Sequence, residues 1–275
     1  MRFFSIILFS FFSATSFAQK PALSSDRDSS FVLVRTYQGD IVNAAMDNFD
    51  NIYIISSTGQ IKKFNANGDS IAVYNQVKNF GNLYSIDVTN PLKILLFYKD
   101  FSTIVILDRF LANLSTIDLR KLSILQPDAV GLSYDNKIWV FDEYDNKLKK
   151  IDEYGNILME TPDFRTIFNE NIVPQKIISD NGFVYLADTA NGVYVFDNYG
   201  SFKKVIPLKN WQSIAVNNSN VISTNNEMIT VYNTATLLQT QKKTPFFKPY
   251  IHSFTNANKF ITFSNNSLQI YQYRF

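Results

Sequence analysis

A strand that ends in a large apolar residue followed by a polar one recurs six times along the chain. The copies are "IKKFNANG" (61–68), "IVILDRFL" (104–111), "LKKIDEYG" (148–155), "VYVFDNYG" (193–200), "ITVYNTAT" (229–236) and "LQIYQYRF" (268–275). Their anchor residues, Phe64, Leu107, Ile151, Phe196, Tyr232 and Tyr271, stand between 36 and 45 residues apart. A period of that length marks a supersecondary unit that cannot bury its apolar surface alone and must stack on neighbouring copies.

Each anchor strand follows a second strand, as in "NIYIIS" (51–56), "KIWVFD" (137–142) and "FVYLAD" (183–188). A third apolar strand lies earlier still ("DAVGLS", 128–133; "QSIAVN", 212–217), and a fourth follows the anchor ("SIAVYNQV"; "FKKVIPL"). Six units of four short alternating strands predict an all-β, six-bladed β-propeller with four antiparallel strands per blade. The sixth unit has only three strands, while one spare strand, "FVLVRTYQ" (31–38), precedes the first. The expectation is that this N-terminal strand completes the last blade and removes an open sheet edge.

The residue after the anchor is Asp108, Asp152 or Asp197 in three units and Asn65 or Asn233 in two others. An amide cannot stand in for a catalytic carboxylate, but it accepts hydrogen bonds in a turn equally well. These positions, and Asp188 in "FVYLADTANGVYVFDNYG", are therefore read as turn acceptors, with Gly68, Gly155 and Gly200 supplying positive φ.

That stretch and "KIWVFDEYDNKLKKIDEYG" resemble the NHL-type repeat of six-bladed propellers. Asp188, Asn191, Phe196, Asp197 and Gly200 match in blade 4, and Asp142, Ile151, Asp152 and Gly155 match in blade 3. The repeat's His-Arg pair is replaced by Gly192-Val193 in blade 4, and blades 2, 5 and 6 keep only the apolar skeleton. The resemblance implies a fold that hosts enzymes, sensors and scaffolds alike.

"MRFFSIILFSFFSATSFAQK" has a cation at Arg2, a short apolar run and small residues before Gln19. It is read as a signal peptide over residues 1–18, followed by a flexible lead-in over 19–30 and the propeller domain over 31–275. The expected location is periplasmic or secreted. No later run is long enough to cross a bilayer as a helix, so no membrane insertion is expected after cleavage. The chain has no cysteine, which excludes a lipoprotein and leaves stability to the core. A formal charge of +2 gives no basic excess for nucleic acid. The doublets Lys62-Lys63, Lys149-Lys150, Lys203-Lys204 and Lys242-Lys243 are read as solvated strand or turn positions.

The long insertions 120–127 and 163–174, the acidic turn "DEYDN" (142–146) and "KDFS" (99–102) should converge on the face where the innermost strands begin. Near the channel mouth on that face the register places Tyr84, Asp128, Gln175, Gln212 and Tyr250, with His252 on an innermost strand. Phe101, Tyr144, Arg165 and Trp211 complete the candidate binding set, since rings beside polar groups suit peptide or sugar recognition. "DEYD" offers the hard oxygens that Ca²⁺ prefers but not the spaced ligands and glycine of a calcium loop. His252 is the single histidine, so a zinc or iron site is not expected. No nucleophile elbow, phosphate loop or zincin motif occurs. No cofactor and no catalytic residue are therefore assigned. The expectation is an exported, non-enzymatic scaffold that binds an envelope protein or peptide through blades 2–4. The alternative is a metal-assisted hydrolase or lyase, lactonase-like, at the channel mouth.

Overall fold

A computed structural model describes residues 30–75, 80–225, 227–244 and 252–274. Residues 1–29, which hold the expected signal peptide and most of the lead-in, lie outside the described residues, as does Tyr250.

The described residues form six four-stranded antiparallel sheets arranged as a propeller. Blade 1 runs Asn43–Met46, Ile52–Ile55, Ile61–Phe64 and Ser70–Tyr74. Blade 2 runs Ser85–Asn90, Lys93–Tyr98, Thr103–Leu107 and Asn113–Asp118. Blade 3 is Pro127–Leu132, Ile138–Asp142, Lys147–Ile151 and Ile157–Glu160. Blade 4 is Lys176–Asp180, Phe183–Asp188, Gly192–Asp197 and Phe202–Ile206. Blade 5 is Ser213–Asn217, Asn220–Thr224, Met228–Asn233 and Gln239–Lys243. Blade 6 takes His252–Asn256, Lys259–Ser264 and Ser267–Tyr273, and its outermost strand is Phe31–Gln38. That closing strand pairs antiparallel from Phe31 opposite Tyr273 to Gln38 opposite Ser267, as the strand count predicted.

Alternation at period two explains the ring. In a strand, successive side chains point to opposite faces, and here each face meets a different neighbour. Tyr53 and Ile55 pack with blade 2, while Ile52 and Ile54 pack with blade 6. Val184 and Leu186 join blade 3, whereas Tyr185 and Ala187 join blade 5. Each of the six interfaces holds its own apolar cluster. The core is thus distributed around the ring rather than gathered at one centre.

The turn acceptors act as the amide substitutions implied. Asp152 Oδ1 accepts from the backbone N–H of Tyr154 at 2.9 Å and of Asn156 at 2.8 Å. Asp108 and Asp197 hold the same two positions, and Asn233 accepts from Ala235 and Thr236. The bend needs a left-handed residue, supplied at φ +91° by Gly155 and +77° by Gly200. In blade 2 the position is Leu111 at φ 62°, which tolerates it because its side chain is buried in the interface between blades 1 and 2.

The lysine doublets are not simply solvated. Lys63, Lys149 and Lys150 are buried, and several cations reach across to a backbone carbonyl of the next blade. Lys63 Nζ donates to Arg109 O at 2.9 Å, Lys93 Nζ to Asn136 O at 2.6 Å, Lys204 Nζ to Thr234 O at 2.8 Å and Lys242 Nζ to Arg274 O at 3.0 Å. A lysine stem packs on apolar surface while its head bonds at the rim. An inward position on one of these strands can therefore carry lysine without losing the interface.

Candidate functional site: the central channel and its rim

The innermost strands surround a channel of about 830 Å³. Of the residues singled out from sequence, Tyr84, Gln175, Trp211, Gln212 and His252 line it. Each sits where its blade's first strand begins, which is why the register could place all of them but Trp211. His252 stacks on Phe263, ring centres 4.9 Å apart, and partial burial pulls the imidazole below its usual range. Gln175 is occupied locally: its amide donates to Val173 O and accepts from Thr189 N–H at 2.8 Å. Its role is to shape the connection between blades 3 and 4.

Asp128 lies just behind the channel wall. It is buried and ion-paired with Lys99, whose ammonium stands 5.2 Å above the Tyr84 ring. Burial opposes the charge of Lys99, but the bonded Asp128 carboxylate outweighs it and raises the lysine pKa. Glu143 closes the cluster, bonded to the Gln126 amide. Burial, and then the adjacent Asp128 charge, push its carboxyl above the usual range.

The acidic turn is tied inward rather than offered to solvent. Lys149 Nζ is 2.8 Å from Asp142 Oδ2 and 2.5 Å from Asp145 Oδ2. Burial disfavours the Lys149 charge, yet these carboxylates hold its pKa above normal. Asp142 also accepts the Gln126 N–H at 3.2 Å, and the equivalent Asp188 accepts the Val173 N–H at 3.0 Å. These two aspartates pin the connections entering blades 3 and 4. Among the described residues no three His, Cys, Asp or Glu side chains are grouped to hold a metal ion.

Phe101, Tyr144 and Arg165 do not reach the channel; they stand on the rim of blades 2–4. The short helix Phe164–Phe168 begins at Asp163, whose side chain accepts the Arg165 N–H. Phe164 is fully buried, stacked 5.0 Å from Phe196 and 6.1 Å from Phe141. Arg165 grips Asp163 and reaches Asp145 O at 3.3 Å, while Asn146 donates to Ile172 O at 3.2 Å. Helix, acidic turn and connection thus form one fixed platform. It projects Tyr144 (63% exposed) and Ile167 (47%) into solvent, while Leu125 (55%), on the connection entering blade 3, and Phe101 (45%), on blade 2, are exposed on the same rim. Phe101 also borders a separate groove of about 420 Å³ with Arg120, Leu122 and Tyr154.

The residue that sequence reasoning missed is Lys176, at the start of blade 4's innermost strand. Its side chain is exposed to the lumen, and it donates to Ile214 O at 2.9 Å. Desolvation within the lumen lowers its pKa, partly countered by the field of Asp87. No motif signals it, because its meaning depends on five other strands.

No protein-family model matches the chain, and no curated protein sequence matches it. Solved structures do. The WD40 domain of Pan2 from Neurospora crassa superposes with a TM-score of 0.64 at 12% identity, covering 90% of this chain and 97% of that one. A Bacteroides fragilis protein provisionally described as exported gives 0.59 at 10% identity, over 90% and 95%. Virginiamycin B lyase from Staphylococcus aureus gives 0.58 at 14%, over 88% and 89%. The likeness is one of fold.

Proposed function

We propose that the chain is exported after loss of residues 1–18. Residues 31–275 then act as a non-enzymatic propeller that binds an envelope protein or peptide through the rim of blades 2–4. The observation that carries this reading is the platform around Phe164. It is rigid from beneath and carries Tyr144 and Ile167 exposed among Glu143, Asp145 and Arg165, with Leu125 and Phe101 exposed elsewhere on the rim. Preordered aromatic anchors surrounded by polar groups are how protein interfaces concentrate binding energy. The NHL-type correspondence of blades 3 and 4 supports the same region, since it falls where the platform is built. The fold likeness to a protein described as exported is in keeping with the leader.

The test is co-purification from native envelope, comparing the wild-type chain with a Tyr144→Asp/Ile167→Asp variant whose melting temperature is unchanged. Loss of a stoichiometric partner in the variant supports the reading, and an identical set of partners overturns it. Amino-terminal sequencing of the exported protein should begin at Gln19; retention of Met1 refutes the export step.

A further inference from the structure

We propose that Asn181 is a site of spontaneous covalent modification: its side-chain amide closes on the Gly182 nitrogen to a succinimide, which water opens to isoaspartate and aspartate. The proposal is independent of the rim platform.

The chemistry needs an asparagine, a following residue with no side chain to hinder its nitrogen, and freedom for the two to meet. The chain has three Asn-Gly pairs, Asn67-Gly68, Asn181-Gly182 and Asn191-Gly192, and the fold treats them differently.

Asn191-Gly192 is locked. The Asn191 amide donates to Asp188 Oδ2 at 3.0 Å, and its backbone N–H to Asp188 Oδ1 at 3.1 Å. Gly192 is buried in a strand opposite Asp188, where an added Cβ would stand 2.7 Å from Ile206 O. Asn67-Gly68 is held by its own turn. Gly68 N–H donates to Asn65 O at 2.9 Å, and the Arg35 guanidinium lies against the glycine. A nitrogen engaged in this way must give up its bond before it can attack.

Asn181-Gly182 has none of these restraints. The pair forms the turn between Lys176–Asp180 and Phe183–Asp188, and both residues are exposed. Among the described residues neither the Asn181 amide nor the Gly182 N–H has a hydrogen-bond partner. A Cβ on Gly182 would meet nothing within 4 Å, so the Asn181 side chain can turn onto the adjacent nitrogen.

Base draws the Gly182 N–H proton as the nitrogen attacks Asn181 Cγ. The N–Cγ bond forms, the Cγ–Nδ2 bond breaks, and Nδ2 takes up a proton and leaves as ammonia. Water then opens the ring. Addition at Cγ restores the ordinary peptide with an aspartate, whereas addition at the Asn181 carbonyl carbon leaves the chain running through Cγ as isoaspartate. Water is consumed, ammonia is released and nothing is oxidised. Either product sets a new carboxylate next to Asp180, which borders the channel and whose carboxyl burial already holds above its usual range. Like charge raises it further, so that end of the channel becomes more acidic as the protein ages.

The experiment incubates the purified full chain at mildly alkaline pH and follows the three Asn-Gly peptides by proteolysis and mass spectrometry, with a second sample held in urea. In the native protein Asn181 should convert at least about tenfold faster than Asn67 or Asn191, since protected sites react only through local opening. In urea the three rates should converge. Both isoaspartate and aspartate should appear at Asn181, and Asn181→Gln, whose longer side chain disfavours the ring, should stay intact. Equal native rates at the three pairs overturn the proposal, as does an unchanged Asn181 while the unfolded chain converts, or aspartate without isoaspartate.

Discussion

Replacing Phe31 with alanine tests whether the ring is held shut by its closing strand. Phe31 is 8% exposed, although most of its strand is open to solvent. Its ring meets Phe260 edge-on at 5.4 Å and stacks on Tyr273 at 5.9 Å. It also belongs to the cluster with Ile222 and Ile229 of blade 5. Truncation therefore loosens two seams, that between the closing strand and blade 6 and that between blades 5 and 6. Removing a buried phenylalanine costs about 3–5 kcal/mol; a residue at the rim belongs at the lower end, about 3 kcal/mol. For a domain of this size each kcal/mol moves the melting temperature by about 2–4 °C, so a drop of roughly 6–12 °C is expected. Val32, 60% exposed on the same strand, is the control, and its change to alanine should stay within about 0.5 kcal/mol. The measurement is thermal unfolding by circular dichroism, with a urea titration for the free energy. A loss below about 1 kcal/mol for Phe31→Ala, or equal losses for the two variants, would refute the view that this ring seals the circle.

Lys149→Met leaves the fully buried Asp142 without its ammonium and should destabilise by about 3–5 kcal/mol in urea; adding Asp142→Asn should recover part of that, and no recovery would count against the pairing. Leu237, φ 61° and 60% exposed, should accept glycine with little change, whereas Leu111→Gly, φ 62° but buried, should cost about 2 kcal/mol more; equal effects would contradict the packing account. For Glu143 the folded-state pKa is raised, so the native state holds its proton longer and stability falls as pH rises from about 4.5, the ordinary glutamate value. Glu143→Gln should therefore melt higher than wild type at pH 7 and lose that advantage below pH ~4.5; an advantage that persists in acid would rule out titration as its cause.

Strand order, blade number and closure were legible because they rest on local signals. Apolar alternation and a polar acceptor every 36 to 45 residues describe each blade without reference to the others. Asp152 and Asp197 were readable as turn residues for the same reason: their partners lie two and four positions away. Lys63 and Lys204 were misread because their partners belong to other blades. A lysine facing the next blade and one facing water look alike in a single strand. Of the site, Tyr84, Gln175, Gln212 and His252 followed from strand register, while Trp211, chosen only as a ring beside polar groups, also lines the channel. Asp128 was placed at the right height but turns behind the wall to meet Lys99, 29 positions earlier. Lys176 stayed hidden because its place on the lumen depends on how the other innermost strands surround it.

The closing strand also makes the two ends of the described propeller neighbours: Arg274 N–H donates to Ser30 O at 3.2 Å. Six blades around a closed circle have no privileged starting point, so the order of connection is separable from the architecture. A cyclic permutant that joins Ser30 to Arg274 through a short linker, and opens at the exposed Asn181-Gly182 turn, keeps every sheet pairing described above. It should reach the same fold from a different first residue.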